Sequence, residues 1–380
     1  MPWSDVSVNE LRVQAVQQVL SQQARVGAVA EQFGVSRACV YKWLKRYSAE
    51  GEAGLVARSR RPHHSPGRTA AEVESQVCEV RDQHPAWGGE KVHRILQNQQ
   101  CPGLPTARTV QRILSRCGKV PPHTPPLEPQ RFERDGPNEL WQVDFKTAVY
   151  LQRQPALVRA VPMSIVDDHS RFSLALRVHE GRALEIIWPV LWDVMGTWGL
   201  PAAILTDNDS VFRGRRGGVS AWTGRLWRLG IAHLSGHPYH PQTQGKVERL
   251  HRTAHEEALK GRAFESLQQL QACLEAFRQE YNSVRPHAAL NLDVPADHFG
   301  PSPHKRPQKL PAVEYPSGAQ LRRVYQNGDI SVRGCRIHIG DGLGGEWVQL
   351  RETDECLVIE YAGFVAREVL CSELRSGEWL

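Results

Sequence analysis

Three carboxylic acids in this sequence of 380 residues stand where a fold could bring them together. Residues 140–145 alternate between apolar and polar side chains, which predicts a strand with Asp144 on the face opposite its apolar neighbours. Asp207 comes directly after the short apolar run 202–206 and therefore marks the end of a second strand. Glu248 lies near the start of a predicted helix. Three converging carboxylates repel one another unless hard divalent cations neutralise them, so these residues suggest a Mg²⁺ site.

The helix that carries Glu248 follows a loop, because Pro238 and Pro241 cannot both lie inside one helix. Four apolar residues at helical spacing form its buried stripe: Val247, Leu250, Ala254 and Ala258. The neighbouring face carries the carboxylate and two basic side chains, in the order Glu248, Arg252, His255 and Leu259. Taken alone, this pattern is also typical of a solvated helix face with an ion pair between Glu248 and Arg252.

The acids lie in three blocks that resemble the Asp, Asp and Glu blocks of the retroviral-integrase-like transposases: Trp141–Asp144, Leu205–Asn208 and His240–Arg249. Members of this family are bacterial insertion-sequence enzymes with an RNase H-like core. The resemblance spans at least residues 139–290, and three blocks in the right order are more specific than any one of them. The second block departs from the family, because Asp209 stands where glycine is usual and adds a rival acid beside Asp207. Asp tolerates a left-handed backbone better than most residues, so the turn can form with either residue.

The resemblance implies a DNA transposase, which is a metal-dependent enzyme that transfers phosphoryl groups on DNA. Asp144, Asp207 and Glu248 would be its catalytic residues and would hold two Mg²⁺ ions, for which Mn²⁺ could substitute. Such an enzyme binds the terminal inverted repeats of an insertion sequence, cleaves the ends of the element and joins their 3′-hydroxyl groups to target DNA. Two alternatives stay open: an RNase H-like nuclease, and a DNA-binding regulator with an inactive core. The N-terminal helices described below argue against the first, and the presence of all three acids argues against the second.

The composition of the chain indicates a soluble globular protein of two to four domains, with 41% hydrophobic residues. Its net charge of +6 and pI near 8.9 are compatible with binding a polyanion. No apolar run is as long as a membrane span, and the N-terminus lacks the apolar segment of a signal peptide. The eight cysteines are scattered, which predicts free thiols in a bacterial cytoplasmic protein that associates with the nucleoid when bound to DNA.

Residues 1–60 have the pattern of a helix-turn-helix domain. Helical periodicity predicts helices over 8–20, 26–32 and 37–47, and a turn with Gly34 precedes the third helix. Residues 36–61 contain seven Lys or Arg against two Glu, which favours a DNA-binding surface over an ordinary small helical bundle.

Residues 61–128 form a second helical domain followed by a proline-rich linker. The predicted helices are 72–84, one that starts at Trp87, and 106–114. Their order resembles the second helix-turn-helix of the same transposases. Two such modules would let one protomer read a longer terminal sequence than one module can.

We expect double-stranded DNA as the partner, both as transposon ends and as target, and a homo-oligomer on that DNA, because a mobile element has two ends. The predicted DNA contacts are basic residues of the helices, the linker and the face of Glu248: Arg37, Lys42, Lys45, Arg46, Arg58, Arg60, Arg61, Arg108, Arg112, Lys246, Arg252 and His255.

The pattern of residues 129–300 predicts the α/β RNase H-like catalytic core, with a mixed sheet, and short alternating runs in 301–380 predict a small antiparallel β-barrel. A turn at 166–172 contains Asp168, to which we assign a structural role. The predicted core strands are 140–149, 157–166, 171–178, 202–206 and 230–234, with a helix over 182–198. The predicted fold is thus multidomain, with all-α helix-turn-helix modules, a mixed-sheet core and a terminal barrel.

Overall fold

The computed structural model describes residues 8–57, 68–120, 133–152, 158–236, 245–372 and 374. The chain divides into two compact units, Met1–Arg68 and Thr69–Leu380. Within the described segments, no helix has the length and apolar character that crossing a membrane would require.

The first unit contains the predicted helix-turn-helix. Its helices are α1 (Val8–Leu20), α2 (Val26–Gln32) and α3 (Arg37–Glu50), followed by a 3₁₀ turn at Gly51–Leu55. The hydroxyl of Ser36 accepts a hydrogen bond from the backbone N–H of Cys39 and so caps the start of α3. The helices enclose a small core formed by Ala15, Val29, Ala30 and Val40.

The second unit begins with three helices, α4 (Ala71–Gln83), α5 (Gly89–Asn98) and α6 (Ala107–Arg116). The core of this module contains the fully buried Trp87 together with Val77, Val92 and Val110. Helices α5 and α6 approach closely at Gly89, whose N–H donates to Gln111 Oε1 over 2.9 Å. A Cβ at Gly89 would lie 2.6 Å from that oxygen, so the close approach requires glycine.

The centre of the second unit is a mixed six-stranded sheet. Strand β1 is antiparallel to β3 and parallel to β5, and β5 is parallel to β6, which confirms the predicted mixed sheet. The strand order is β2-β3-β1-β5-β6, and β4 also pairs with β3. The strands are β1 (Leu140–Phe145), β2 (Val149–Leu151), β3 (Val158–Asp167), β4 (Ser173–His179), β5 (Ala203–Thr206) and β6 (Ala232–Ser235).

Helices cover both faces of this sheet: α7 (Leu184–Trp198), α8 (Ala221–Trp227), α9 (Gly245–Ala254) and α10 (Leu267–Ser283). Apolar side chains of β1, including Trp141 and Val143, share one core with α7 and α8. Val247 and Leu250 of α9 share a second core with α10 and with β2, β3 and β4. Because side chains alternate along a strand, Asp144 faces the side that carries α9.

The structure does not show the predicted C-terminal β-barrel, because the strands described there form no closed sheet. Four of them make an open antiparallel sheet in the order β12-β11-β10-β7, and β8 and β9 form a separate hairpin. The strands are β7 (Gln320–Arg323), β8 (Asp329–Val332), β9 (Cys335–His338), β10 (Trp347–Glu352), β11 (Cys356–Tyr361) and β12 (Phe364–Leu370).

The C-terminal strands and their connecting segments contact the core through its backbone and through one aromatic pair. The N–H of Val219 donates to the carbonyl of Ile339, just after β9, over 2.8 Å, and the carbonyl of Val219 accepts from Gly342 over 3.1 Å. Trp227 at the end of α8 stacks on Phe364, with 5.3 Å between the ring centroids. The C-terminal strands are therefore joined to the core by backbone hydrogen bonds and aromatic packing.

Candidate active site

Asp144 and Asp207 are neighbours because of the parallel pairing of β1 and β5. Val143 pairs with Thr206, so the residues that follow them, Asp144 and Asp207, lie side by side where the pairing of β1 with β5 ends. The Asp144 side chain retains only 14% of its exposure, and Asp207 is half-buried. The structure thus brings together the first two predicted acids.

Glu248 lies within electrostatic range of Asp144. Burial and then the negative charge of Asp207 raise the pKa of Asp144 to about 7, with a smaller contribution from Glu248; a hydrogen bond from the Phe145 backbone and the charge of Arg182 oppose this rise. The pKa of Asp207 is also raised, first by burial and then by the charge of Asp209. Nearby cations therefore only partly offset the repulsion between the acids.

The exposed face of α9 agrees with the sequence analysis up to His255. Val247, Leu250 and Ala254 are fully buried, while Glu248, Arg252 and His255 are exposed. The expectation for Leu259 is wrong, because its side chain is buried. The chain leaves α-helical geometry after Ala254 and continues as a π-helical segment at His255–Leu259, which rotates the later side chains relative to α-helical spacing.

His251 is a residue of this site that the sequence analysis missed. Its Nε2 lies 2.7 Å from the hydroxyl of the buried Ser164, and its Nδ1 lies 3.5 Å from Asp144 Oδ2. Burial, helped by the charge of Lys146, lowers the pKa of His251 to about 3, so the ring is neutral. Its position four residues after Val247, on the buried stripe of the helix, was the available signal.

A second, half-buried histidine lies beside the strand end that carries the other aspartate. His233 on β6 places Nε2 2.9 Å from the Thr206 hydroxyl and Nδ1 2.8 Å from the Thr223 hydroxyl. The Thr206 hydroxyl also lies 3.0 Å from the backbone carbonyl of Asp207. Burial lowers the pKa of His233 to about 4, so this network too is neutral.

Asp209, the acid that replaces the expected glycine, is paired with a cation. Its Oδ2 lies 2.5 Å from Nη1 of Arg182. Burial alone would raise the pKa of Asp209, but the hydrogen bond from Arg182 outweighs burial and lowers it. Asp209 is not among the described residues with positive φ, so the turn does not require glycine here.

Lys246, a predicted DNA contact, instead forms an ion pair inside the core. Its Nζ lies 2.5 Å from Oδ2 of Asp168, and the two side chains retain 14% and 0% of their exposure. Asp168 also accepts hydrogen bonds from Gln142 Nε2 and from the backbone of Arg134. This network agrees with the structural role predicted for Asp168, and it gives Lys246 an ion-pair partner within the protein; its contact with DNA stays a prediction.

The remaining predicted DNA contacts are distributed over both helical modules. On α3, Arg37, Lys42 and Lys45 are exposed, and Arg46 is half-buried. On α6, Arg108 and Arg112 are exposed. The linker residues Arg58, Arg60 and Arg61 lie outside the described residues. All of these contacts stay predictions.

The donor chemistry of the site fits a hard divalent cation. Asp144, Asp207 and Glu248 supply carboxylate oxygens, which Mg²⁺ and Mn²⁺ prefer, and the charges of Asp207 and Glu248 both act on Asp144. Among the described residues, no three His, Cys, Asp or Glu side chains are close enough together to hold a metal ion. The three acids are therefore coupled electrostatically without being gathered to ligand distance.

Comparisons with known proteins match family models to the helical modules and to part of the core. The integrase core domain family matches residues 229–295, the homeodomain-like domain family matches 39–114, and the helix-turn-helix domain family matches 11–63. An uncharacterized 39.2 kDa protein of insertion element IS476 from Xanthomonas euvesicatoria is 25% identical over 252 residues, which cover 64% of this chain and 69% of that protein.

Two further comparisons concern a transposase and a chain of a viral intasome. A protein named as a transposase for insertion sequence element IS5376, from Geobacillus stearothermophilus, is 27% identical over 248 residues, covering 64% of this chain and 56% of that protein. A chain in a cryo-electron microscopy structure of a simian T-cell lymphotropic virus intasome, in complex with PP2A regulatory subunit B56 gamma, is 14% identical, with a TM-score of 0.34 over 78% of this chain and 99% of its own.

Helix-turn-helix domains joined to an integrase core define a DNA-processing protein. Within that class, the chain is similar to bacterial insertion-sequence transposases of the retroviral-integrase-like superfamily.

Proposed function

We propose that this transposase binds the terminal inverted repeats of an insertion sequence, cleaves the ends of the element and joins their 3′-hydroxyl groups to target DNA. The observation that carries the proposal is the placement of Asp144 beside Asp207 on two paired strands, with Glu248 within electrostatic range of Asp144. Such a site is unfavourable for stability alone, and perturbed carboxylates of this kind are common where chemistry takes place.

Asp144, Asp207 and Glu248 would hold Mg²⁺ or Mn²⁺. When bound, two such ions would activate the attacking oxygen and stabilise the leaving oxygen of a phosphoryl transfer. No covalent intermediate with the protein is needed, so no serine or tyrosine is assigned as a nucleophile.

The other residues around the site position groups rather than react. Arg252 and His255 share the exposed face of Glu248 and would contact a DNA phosphate there. The neutral rings of His251 and His233 hold the surroundings of Asp144 and Asp207 by hydrogen bonds without adding positive charge that would compete with a cation. Basic side chains would thus lie on the exposed part of the site, where DNA phosphates approach, and the acids Asp144 and Asp207 lie deeper.

Recognition of the ends is assigned to the helical modules. The exposed basic residues of α3 and α6 give each module a positively charged surface, as binding to DNA phosphates requires. An element has two ends, and each needs an active site, so the active form would be a homo-oligomer on DNA.

The test is incubation of the purified protein with labelled terminal-repeat DNA and a target plasmid, with and without Mg²⁺. We expect Mg²⁺-dependent cleavage at the repeat end, followed by joined products. Cleavage of RNA–DNA hybrids without joining would identify a nuclease, and binding without cleavage would identify an inactive regulator; either result would overturn the proposal.

A further inference from the structure

Asp209 uses its two carboxylate oxygens for different purposes. Its Oδ1 accepts hydrogen bonds from the hydroxyl of Ser210 and the backbone N–H of Val211, both over 3.3 Å, and so caps the turn after β5. Its Oδ2 receives Nη1 of Arg182 over 2.5 Å. The cap needs only an uncharged oxygen, whereas the contact with Arg182 is an ion pair, so a substitution can separate the two.

Arg182 is held within electrostatic range of both catalytic aspartates. It lies between β4 and α7, and its guanidinium carbon is 4.9 Å from the ring centroid of Phe145, the residue after Asp144. The charge of Arg182 lowers the pKa of Asp144 and of Asp207, against larger effects that raise both values. Its Nε is buried and makes no hydrogen bond to any residue that the structure describes. The guanidinium therefore has donor capacity beyond the contact with Asp209.

Asp144 and Asp207 are the carboxylates that would attract this guanidinium most strongly in the absence of Asp209. They lie side by side on paired strands, and neither forms an ion pair with a lysine or arginine that the structure describes. A guanidinium matches carboxylate geometry well and can bind two oxygens at once. A released Arg182 side chain would thus compete with a divalent cation for the same oxygens.

We propose that Asp209 positions Arg182 so that its guanidinium does not neutralise Asp144 and Asp207, which keeps these two acids open to a divalent cation. The inference rests on the proposed function, because it takes Asp144 and Asp207 as the metal-binding acids. This role explains why an extra acid is tolerated two residues after Asp207, because the charge of Asp209 is paired with that of Arg182.

The test is calorimetric titration of the full-length protein with Mn²⁺, without DNA. Asp209→Asn keeps an oxygen for the cap but removes the charge that holds Arg182, and it should weaken Mn²⁺ binding about tenfold. Arg182→Gln removes the competitor and should not weaken binding. The double variant Asp209→Asn with Arg182→Gln should regain the affinity that Asp209→Asn loses. Thermal denaturation of each variant checks that it is folded, and Asp209→Ser repeats the measurement if Asp209→Asn is not.

Equal Mn²⁺ affinity of Asp209→Asn and wild type would overturn the inference, because a residue that only caps a turn predicts that result. A double variant as weak as Asp209→Asn would overturn it as well, since the loss would then not depend on Arg182. Asp144→Asn in the same titration tests separately whether Asp144 binds the metal ion. If Mn²⁺ binding by the wild type does not depend on Asp144, the proposed function fails together with the inference; if it does, only the inference is at stake.

Discussion

The Nε2 atom of His251 and the hydroxyl of Ser164 form a 2.7 Å hydrogen bond beneath the candidate active site. This contact joins α9, which carries Glu248, to β3, the strand beside Asp144. The opposite ring nitrogen of His251 faces Asp144. One neutral side chain on the helix that carries Glu248 thus contacts both Ser164 and the candidate catalytic residue Asp144.

His251→Asn should make stability less sensitive to acid. The folded protein keeps His251 neutral down to a pH of about 3, because burial lowers its pKa from the ordinary value of 6.5, whereas the unfolded chain takes up a proton below that value. The unfolded state therefore binds more protons, and this group's contribution to stability is lost as the pH falls from about 6.5 towards about 3.

The measurement is the free energy of unfolding by urea at several pH values in this window. His255→Asn is the matched control, because His255 is exposed on the same face of the chain as Glu248 and should leave the slope unchanged. The free energy of unfolding of His251→Asn should also fall by about 1–3 kcal/mol near neutral pH, since the Ser164 hydroxyl loses its buried partner. An unchanged slope would show that His251 is protonated in the folded protein.

Asp144→Asn should stabilise the metal-free protein above neutral pH. The pKa of Asp144 is raised to about 7 by burial and by the neighbouring acids. Between its unfolded pKa and about 7, the folded state binds a proton that the unfolded state has released, so stability falls as the pH rises through this window. Removing the charge should add roughly 1–4 kcal/mol at pH 8 and little at acidic pH.

The readout is the melting temperature at acidic and alkaline pH, with a chelator or with Mg²⁺. Mg²⁺ should stabilise the wild type at pH 8 and should have little effect on Asp144→Asn. Asp193→Asn, on an exposed position of α7, is the control for loss of a charge. A variant that melts below the wild type at pH 8 would contradict the repulsion on which the site assignment depends.

The sequence predicts this fold well where periodicity decides the structure. The positions of Trp141 and Val143 fix the buried face of β1, and that alternation alone places Asp144 on the other face. The contact between His251 and Ser164 depends on how α9 lies across β3, which no local pattern encodes. The pairing of Asp209 with Arg182 likewise joins residues from different loops, so only the folded chain reveals it.

The same reasoning explains the two structural errors. The π-helical segment at His255–Leu259 changes the helical period, so extrapolating the α-helical face of Glu248 to Leu259 fails. Alternation in residues 301–380 predicts antiparallel strands there, which the structure contains, but it does not determine which strands pair or whether the sheet closes.

Lys246→Met should destabilise the protein because it leaves a buried negative charge without its cation. The carboxylate of Asp168 is fully buried, and Lys246 is its charged partner at the start of α9. Removing one member of such a pair costs roughly 3–5 kcal/mol. The double variant Lys246→Met with Asp168→Asn should lose less than the sum of the single variants.

Urea unfolding of the wild type, both single variants and the double variant measures this coupling. Lys260→Met is the matched control, because Lys260 forms an exposed ion pair with Glu256 and should cost little. Additive losses would mean that the two side chains do not stabilise each other.

Replacing Arg37, Lys42 and Lys45 of α3 with Gln should weaken binding to terminal-repeat DNA and reduce its salt dependence. These side chains are exposed on the helix that follows the turn of the first module. Each lost phosphate contact should lower the slope of log affinity against log salt by about one. Arg333→Gln, exposed and paired with Glu352 in the C-terminal strands, is the control. Unchanged affinity at every salt concentration would exclude α3 from the DNA interface.

Glu248→Gln should separate chemistry from DNA binding. Gln has nearly the shape of Glu and the position is exposed on α9, so the fold should be little disturbed. It keeps one carbonyl oxygen but loses the negative charge, and hard divalent ions bind anionic oxygens best. A loss of end cleavage of about a hundredfold or more is expected, which corresponds to about 2.7 kcal/mol of transition-state stabilisation. DNA affinity should remain near that of the wild type, because the helical modules keep their basic surfaces.

The measurement is cleavage of a labelled repeat end, beside a binding titration with the same DNA. Glu256→Gln is the matched control, because it removes the charge of an exposed carboxylate on the segment that follows α9. Asp144→Asn and Asp207→Asn should behave like Glu248→Gln, whereas Asp209→Asn should retain substantial cleavage at saturating Mg²⁺. Normal cleavage by Glu248→Gln would refute the assignment of the three acids, and so would an inactive Asp209→Asn beside an active Asp207→Asn.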